Sequence, residues 1–174
     1  MEKFVGTGVA MATPFDGSGA VDYKALEKLV KHLSEGEVEY LVVLGTTAET
    51  ATLTAEEQSK VLTYVQSVNY KKLPIVLGMG GNNTAALVES IKNTDLSEVD
   101  AILSASPYYN KPTQEGIYQH YKAVAESTDK PIILYNVPGR TASNISAETT
   151  LRLANDFDNI IGIKEASADM DQVM

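Results

Sequence analysis

The sequence contains no cysteine and no tryptophan, and its only two histidines, His32 and His120, stand far apart along the chain. Without cysteine the chain can form no disulfide, use no thiolate nucleophile and bind no zinc through sulfur. Two isolated histidines are too few for a histidine-based metal cluster, so we expect no metal site. Any chemistry must therefore depend on lysine, tyrosine, threonine, arginine and carboxylates.

Long apolar runs and an excess of positive charge are also missing. No apolar run approaches the roughly 20 residues that span a bilayer, and the N-terminus, Met1-Glu2-Lys3-Phe4, lacks the basic and apolar regions of a secretion signal. The formal net charge of −9 disfavours nucleic acids and anionic membranes as partners, because their phosphates are bound through lysine and arginine. We therefore expect a cytoplasmic protein that acts on a small molecule.

The 174 residues, 44% of them hydrophobic, can bury one sizeable core. Apolar, β-branched runs alternate with amphipathic stretches at intervals of roughly 30 residues, which is typical of βα units that build a parallel sheet. Six strands are predicted, at residues 8–12, 40–44, 74–77, 100–104, 131–135 and 160–163. A capping box, Thr54 with Glu57, opens a helix after the second strand, and Ser146 begins another.

Parallel strands joined by helices form either an open doubly wound sheet or a closed (β/α)8 barrel. Polar groups follow four of the strands, and no glycine-rich phosphate loop follows the first, so the barrel is favoured. A complete barrel needs around 250 residues. We therefore predict that residues 1–174 form a single TIM-barrel domain that supplies about the first six βα units, without the last strands and the C-terminal helical segment.

The segment Ile160-Ile161-Gly162-Ile163-Lys164 combines an apolar strand with a lysine at its end. A lysine held where water is scarce favours the neutral amine, which is a nucleophile for carbonyl carbons. This pattern indicates Schiff-base chemistry, with no metal or organic cofactor. The bland alternative is a lysine that leaves a strand and extends into solvent.

Four motifs together resemble the dihydrodipicolinate synthase family of class I pyruvate-dependent aldolases, which also includes N-acetylneuraminate lyase. They are Gly45-Thr46-Thr47-Ala48-Glu49-Thr50, Pro107-Tyr108-Tyr109-Asn110-Lys111-Pro112, Tyr135-Asn136-Val137-Pro138-Gly139-Arg140-Thr141 and Gly162-Ile163-Lys164-Glu165. The resemblance implies a lyase that condenses pyruvate with L-aspartate 4-semialdehyde to 4-hydroxy-tetrahydrodipicolinate, in lysine and diaminopimelate biosynthesis. It also implies self-association as a tetramer, a dimer of dimers.

The resemblance implies catalytic roles for four residues. Lys164 would form the imine with pyruvate, and Tyr135, Thr46 and Tyr109 would relay protons, with Tyr109 reaching the active site of an adjacent subunit. A phenol suits a relay because it both donates and accepts a hydrogen bond. The alternatives are a core tyrosine at position 135, a capping threonine at position 46 and an interface tyrosine at position 109.

Substrate binding is implied for Thr47, which would hold the pyruvate carboxylate, and for Arg140, which would bind the carboxylate of the semialdehyde. A surface ion pair is the alternative for Arg140. Neuraminate lyases and sugar-acid aldolases usually lack this arginine, so Arg140 favours the synthase. Asn82 and Tyr108 correspond to part of a lysine effector site.

Several departures from the family leave other functions open. Ala48 stands where the family commonly has glycine, so a positive φ there would strain the threonine loop. Ala55, Gln58 and Ala86 replace the histidines and the carboxylate of lysine-sensitive members, so we expect no strong inhibition by lysine. A noncatalytic barrel fragment and a sugar-acid aldolase of the same family are the alternative functions. Glu49 and Glu165 are interpreted as orienting or capping groups rather than as a catalytic pair.

Overall fold

The structure is a computed structural model that describes residues 2–174. Strands and helices alternate along the chain, as predicted. The strands are β1 (Gly8–Ala10), β2 (Tyr40–Val43), β3 (Ile75–Gly78), β4 (Ala101–Ala105), β5 (Ile132–Asn136) and β6 (Ile160–Glu165). The helices are α1 (Tyr23–Glu35), α2 (Ala55–Val68), α3 (Thr84–Asn93), α4 (Gln114–Ala125), α5 (Pro138–Thr141), α6 (Ala147–Asp156) and α7 (Met170–Val173).

The first of two compact units comprises Met1–Gly78 and Leu96–Asp100. Its three strands pair in parallel in the order β1, β2, β3, so that Val42 is opposite both Ala10 and Val76. β2 and β3 are buried over most of their length, as expected for strands covered on both faces. Helices α1 and α2 pack against each other through their apolar faces.

The second unit comprises Met79–Asp95 and Ala101–Met174. Its strands pair in parallel in the order β4, β5, β6, and Tyr135 is opposite both Ala105 and Lys164. The register between β5 and β6 shifts at Ile132 and Ile133. Helices α3, α4 and α6 contribute buried apolar side chains, including Ile91, Ile117 and Leu153.

All six predicted strands occur, with bounds that differ by one or two residues. The two largest differences are at β1, which ends at Ala10 instead of residue 12, and at β6, which continues through Lys164 to Glu165 instead of ending at Ile163. The capping box is confirmed, since the Thr54 side chain accepts from Glu57 N and Glu57 Oε2 accepts from Thr54 N. Ser146 likewise caps α6. The α/β class is confirmed, while the single cooperative domain stays a prediction.

No helix within residues 2–174 is both long and apolar enough to cross a bilayer. Among the same residues there is also no group of three or more histidine or carboxylate side chains placed to hold a metal ion.

His120 is a buried histidine on α4, only 3% exposed. Its Nδ1 lies 2.8 Å from Thr84 Oγ1, its ring makes an edge contact with Tyr121, and its Nε2 has no partner among the described residues. Burial penalises the imidazolium and lowers the pKa of His120 from 6.5 to about 4.

We predict that His120 makes the folded chain sensitive to acid. Between pH 6.5 and 4 the unfolded chain binds a proton that the folded chain excludes, so the free energy of unfolding falls as the pH falls, by roughly 3 kcal/mol. Urea denaturation at several pH values measures how the free energy of unfolding depends on pH. This dependence should be weaker for His120→Phe than for the wild type. The exposed His32 supplies the control, because His32→Gln should keep the wild-type dependence of the free energy of unfolding on pH. The same pH dependence in all three proteins would contradict the prediction.

Candidate functional site

The first group of predicted site residues lies in a turn after β2. Thr46 and Thr47 begin a short 3₁₀ turn, Thr46–Ala48, and both side chains are exposed. Leu44 and Glu49, on either side of the turn, have left-handed φ values of 57° and 54°. Ala48 has no positive φ and is buried at 2% exposure. The backbone strain expected at Ala48 therefore does not occur there, and the positive φ values fall on Leu44 and Glu49 instead.

Thr50 fastens this turn to the strand that precedes it. Its Oγ1 lies 2.8 Å from Leu44 O and 2.9 Å from Gly45 O, so one hydroxyl hydrogen is shared between two carbonyls. Gln58 on α2 in turn donates to the carbonyl oxygens of Thr50 and Leu53. Sequence analysis gave Thr50 no role and treated Gln58 only as a departure from the effector site. A threonine three residues after a Thr-Thr pair is the only local signal.

Gly78, the last residue of β3, is packed directly against the backbone that leads into the turn. A Cβ built on Gly78 would lie 2.6 Å from the carbonyl carbon of Leu44 and 2.8 Å from Gly45 N. Real Cβ atoms do not approach backbone this closely. The absence of a side chain at position 78 therefore fixes where the backbone of Leu44 and Gly45 can run.

The second group of predicted site residues lies in the other unit, and Lys164 and Tyr135 form its centre. Paired strands place them opposite each other, and Lys164 Nζ lies 4.4 Å from the centroid of the Tyr135 ring. This is a cation–π geometry for the ammonium form. The prediction that the Tyr135 side chain lies next to Lys164 is therefore confirmed.

The surroundings of Lys164 differ from the sequence-based expectation. We expected a buried strand and an amine held where water is scarce, but β6 is half-buried and Lys164 is exposed. Within residues 79–95 and 101–174, β6 pairs with β5 alone, so one side of the strand is open. Tyr135, at 7% exposure, is buried as expected.

Tyr109 and Arg140 come from two loops of this unit that are joined by a backbone hydrogen bond. Tyr109 N donates to Thr141 O at 3.1 Å, and Tyr109 adopts a φ of 72° with its side chain 83% exposed. Arg140 lies in the four-residue helix α5 and is also exposed. The described residues provide no ion pair for Arg140, so the surface salt bridge weighed above is not seen.

The two proposed effector residues are in contact. Asn82 Oδ1 accepts a hydrogen bond from Tyr108 N at 2.6 Å. Asn82 is the residue that precedes the N-cap of α3, so this hydrogen bond holds the start of the helix against the start of the Tyr108-Tyr109 loop. Asn82 therefore has a structural task in orienting that loop, whatever it binds.

A polar network that sequence analysis did not anticipate lies on the reverse face of β5 and β6. Asn136 and Glu165 are paired in the strand register, directly after Tyr135 and Lys164. The Asn136 amide donates to both Glu165 carboxylate oxygens, at 3.0 and 2.9 Å. The only signal in the sequence is that Tyr135 and Lys164 are each followed by a polar residue.

Residues 3–174 match the family model described as the dihydrodipicolinate synthetase family. The chain belongs to this family. The match covers nearly the whole chain and includes all four motifs. The resemblance proposed from those motifs is therefore confirmed.

Named relatives and solved structures agree with this assignment. The chain is 59% identical over its full length to 4-hydroxy-tetrahydrodipicolinate synthase of Flavobacterium psychrophilum, of which it covers 59%. It is 47% identical to the solved Acinetobacter baumannii synthase complexed with pyruvate, with a TM-score of 0.91, covering 96% of this chain and 57% of that one. The Cyanidioschyzon merolae enzyme, solved with lysine bound, has a TM-score of 0.92 at 39% identity, covering 98% of this chain and 58% of that one.

The fold of these solved structures is thus shared over nearly the whole chain, and the predicted partial (β/α)8 barrel is confirmed as its fold class. The chain spans less than three fifths of the length of these relatives.

We predict that Gly78→Ala destabilises the first unit by displacing Leu44 and Gly45, at a cost of about 1–3 kcal/mol. Urea denaturation followed by circular dichroism measures the loss. Gly17→Ala is the matched control, since no atom lies within 4 Å of a Cβ at position 17, and its stability should be unchanged or slightly higher. Equal stability of the two variants would show that the close approach is not restrictive.

Proposed function

We propose that this chain takes part in the condensation of pyruvate with L-aspartate 4-semialdehyde through a Schiff base on Lys164. The product is 4-hydroxy-tetrahydrodipicolinate, a precursor in lysine and diaminopimelate biosynthesis. The observation that carries the proposal is the position of Lys164 Nζ, 4.4 Å from the Tyr135 ring centroid on the neighbouring strand. A primary amine beside a phenol is the pair that imine formation requires.

In the proposed reaction the neutral amine of Lys164 attacks the ketone carbon of pyruvate. A C–N bond forms and the carbonyl oxygen becomes the hydroxyl of a carbinolamine, which leaves as water once it accepts a proton. The resulting iminium loses a proton from the methyl carbon to give an enamine, and this carbon attacks the aldehyde. The amino group of the attached semialdehyde then displaces the Lys164 amine from the iminium carbon, which closes the ring and frees the lysine. Tyr135 would donate a proton to the departing water and recover it afterwards.

The remaining roles are carried over from the family. Thr46 would continue the proton relay, and Thr47 with the backbone N–H groups of its turn would bind the pyruvate carboxylate. Arg140 would bind the carboxylate of the semialdehyde; its exposure and its lack of an ion pair among the described residues leave its guanidinium available.

Self-association belongs to the same proposal. Tyr109, strongly exposed and held in an unusual backbone conformation, would complete the relay in a neighbouring subunit. We propose a homo-oligomer, a tetramer built as a dimer of dimers, that acts in the cytoplasm.

The proposed chemistry needs no metal or organic cofactor, because the iminium nitrogen is itself the electron sink. Weak regulation by lysine is also proposed. Asn82 and Tyr108 are in contact, but Ala86 supplies no carboxylate for the inhibitor's amines.

A noncatalytic role is the second candidate, and the exposure of Lys164 favours it. An exposed amine lacks the dry surroundings that usually activate a lysine nucleophile. Covalent trapping separates the two functions, because a noncatalytic chain accumulates no imine. Assays with alternative aldehydes separate the synthase from a sugar-acid aldolase.

We predict that incubation with pyruvate and borohydride adds one reduced pyruvyl group, and that Lys164→Ala abolishes this adduct. Intact-mass spectrometry with peptide mapping measures both. Lys92→Ala, in the last turn of α3, is the control that should trap pyruvate like the wild type. An unchanged adduct on the Lys164→Ala chain would rule out the proposed function.

A second prediction concerns the Tyr135 hydroxyl. Tyr135→Phe keeps the ring beside Lys164 but removes the proton donor, so pyruvate binding should be partly retained while turnover falls by about 10² or more. The comparison is Tyr118→Phe, which removes a hydroxyl that donates to Asp156 at 2.7 Å and should leave turnover near the wild-type value. Full turnover by Tyr135→Phe would mean that another group moves the proton.

A further inference from the structure

The network behind Tyr135 and Lys164 consists of four side chains, those of Asn136, Asn144, Glu165 and Gln172. Side chains alternate between the two faces of a strand. Tyr135 and Lys164 therefore share one face of the β5–β6 pair, and Asn136 and Glu165 share the other. The reactive pair and the network are consequently parts of the same two strand ends.

Asn136 is the centre of the network and is fully buried. Its Nδ2 donates to Glu165 and, at 2.7 Å, to Asn144 Oδ1, while its Oδ1 accepts from Ile145 N at 3.0 Å. Both ends of the amide are thus occupied. A buried amide with its partners satisfied on both sides resists displacement, because any movement leaves polar groups unpaired.

Glu165 is held from three directions. Ser167 N donates to Oε1 at 2.8 Å, Gln172 Nε2 donates to Oε2 at 2.9 Å, and Asn136 donates to both oxygens. Desolvation opposes ionisation of this carboxyl, but the hydrogen bonds from Asn136, Ser167 and Gln172 prevail and lower its pKa. Glu165 is therefore a fixed anion that four hydrogen bonds surround.

The packing of β5 and β6 alone fixes the register of the two strands only weakly near Lys164. The β5–β6 register shifts at Ile132 and Ile133, Gly162 has no side chain to pack, and β6 is half-exposed. A slip of one residue would turn every side chain of β6 to the opposite face. Apolar packing of β6, which is buried only at Ile160, therefore gives Lys164 little support opposite Tyr135.

We propose that Asn136 and Glu165 are positioning residues that lock the register of β5 and β6 and so hold the Lys164 amine against the Tyr135 ring. The inference rests on the proposed function for its catalytic consequence. It adds that the hydrogen bonds of the network, rather than the packing of the half-exposed strand, hold the amine in the position on which the rate of imine formation depends.

Three variants of the full chain test the role of the network. Asn136→Asp opposes two carboxylates and breaks the contact, and Glu165→Gln replaces one of the two acceptor oxygens by an amide donor and removes the charge, so each single change weakens the contact. The combined Asn136→Asp, Glu165→Gln chain restores it with reversed polarity, a carboxylate at 136 accepting from an amide at 165. Glu115→Gln is the matched control, because Glu115 also accepts two side-chain hydrogen bonds, from Gln119 and Arg152, at the surface of α4.

The first readout is the rate of borohydride-trapped adduct formation as a function of pyruvate concentration. Each single variant should lower the maximal rate by about tenfold or more with little change in the half-saturating concentration, since a misplaced nucleophile affects the covalent step. The combined variant should recover most of the rate, and Glu115→Gln should match the wild type. Wild-type rates in both single variants, or no recovery in a combined variant that folds by circular dichroism, would overturn the inference.

The second readout does not depend on activity. The Tyr135 ring should shift the proton signals of the Lys164 ε-methylene group in NMR spectra of chain labelled at lysine, with assignment by Lys164→Ala. Both single variants should lose this shift and the combined variant should regain it. If the wild type forms no adduct but the shifts behave this way, the proposed function fails and the positioning role stands; unchanged shifts in the single variants overturn the positioning role.

Discussion

The hydrogen-bonded pairing of β5 with β6 is the constraint on which the chemistry proposed for the second unit depends. Parallel pairing puts Tyr135 opposite Lys164, and side-chain alternation then puts Asn136 opposite Glu165 on the reverse face. One alignment thus produces both the reactive pair and the polar contacts that support it. The amine and the phenol come from residues 29 positions apart in sequence, so no local feature could bring them together.

The turn that carries Thr46 and Thr47 is held by a different means. Backbone strain at Leu44 and Glu49 is balanced by the Thr50 hydroxyl, which bonds two carbonyls, and by the close approach of Gly78. Strain of this kind persists only where the surrounding contacts determine the conformation. Both units therefore use satisfied polar groups, and the first adds the tight backbone packing at Gly78.

Most of the fold was predictable, because strand positions follow from apolar runs and helix starts from caps such as Thr54 and Ser146. The pairing of Tyr135 with Lys164 was predictable for the same reason, since both end adjacent parallel strands. The exposure of Lys164 was not predictable, because an apolar run indicates that a strand can be buried but not whether another element covers it. The roles of Thr50, Gly78 and Asn136 were also missed, since each acts through contacts with residues distant in sequence or through the lack of a side chain.

The alternation of Tyr135 with Asn136, and of Lys164 with Glu165, makes the spacing of residues as important as their identity. A deletion of one residue between Ile160 and Lys164 would leave every functional group in the chain, yet it would put the Glu165 carboxylate opposite Tyr135 and the lysine amine opposite Leu134, on the reverse face. The face that carries Tyr135 would then hold a carboxylate in place of an amine. The register of the strand, rather than the residues that it contains, therefore decides whether an amine or a carboxylate lies opposite Tyr135.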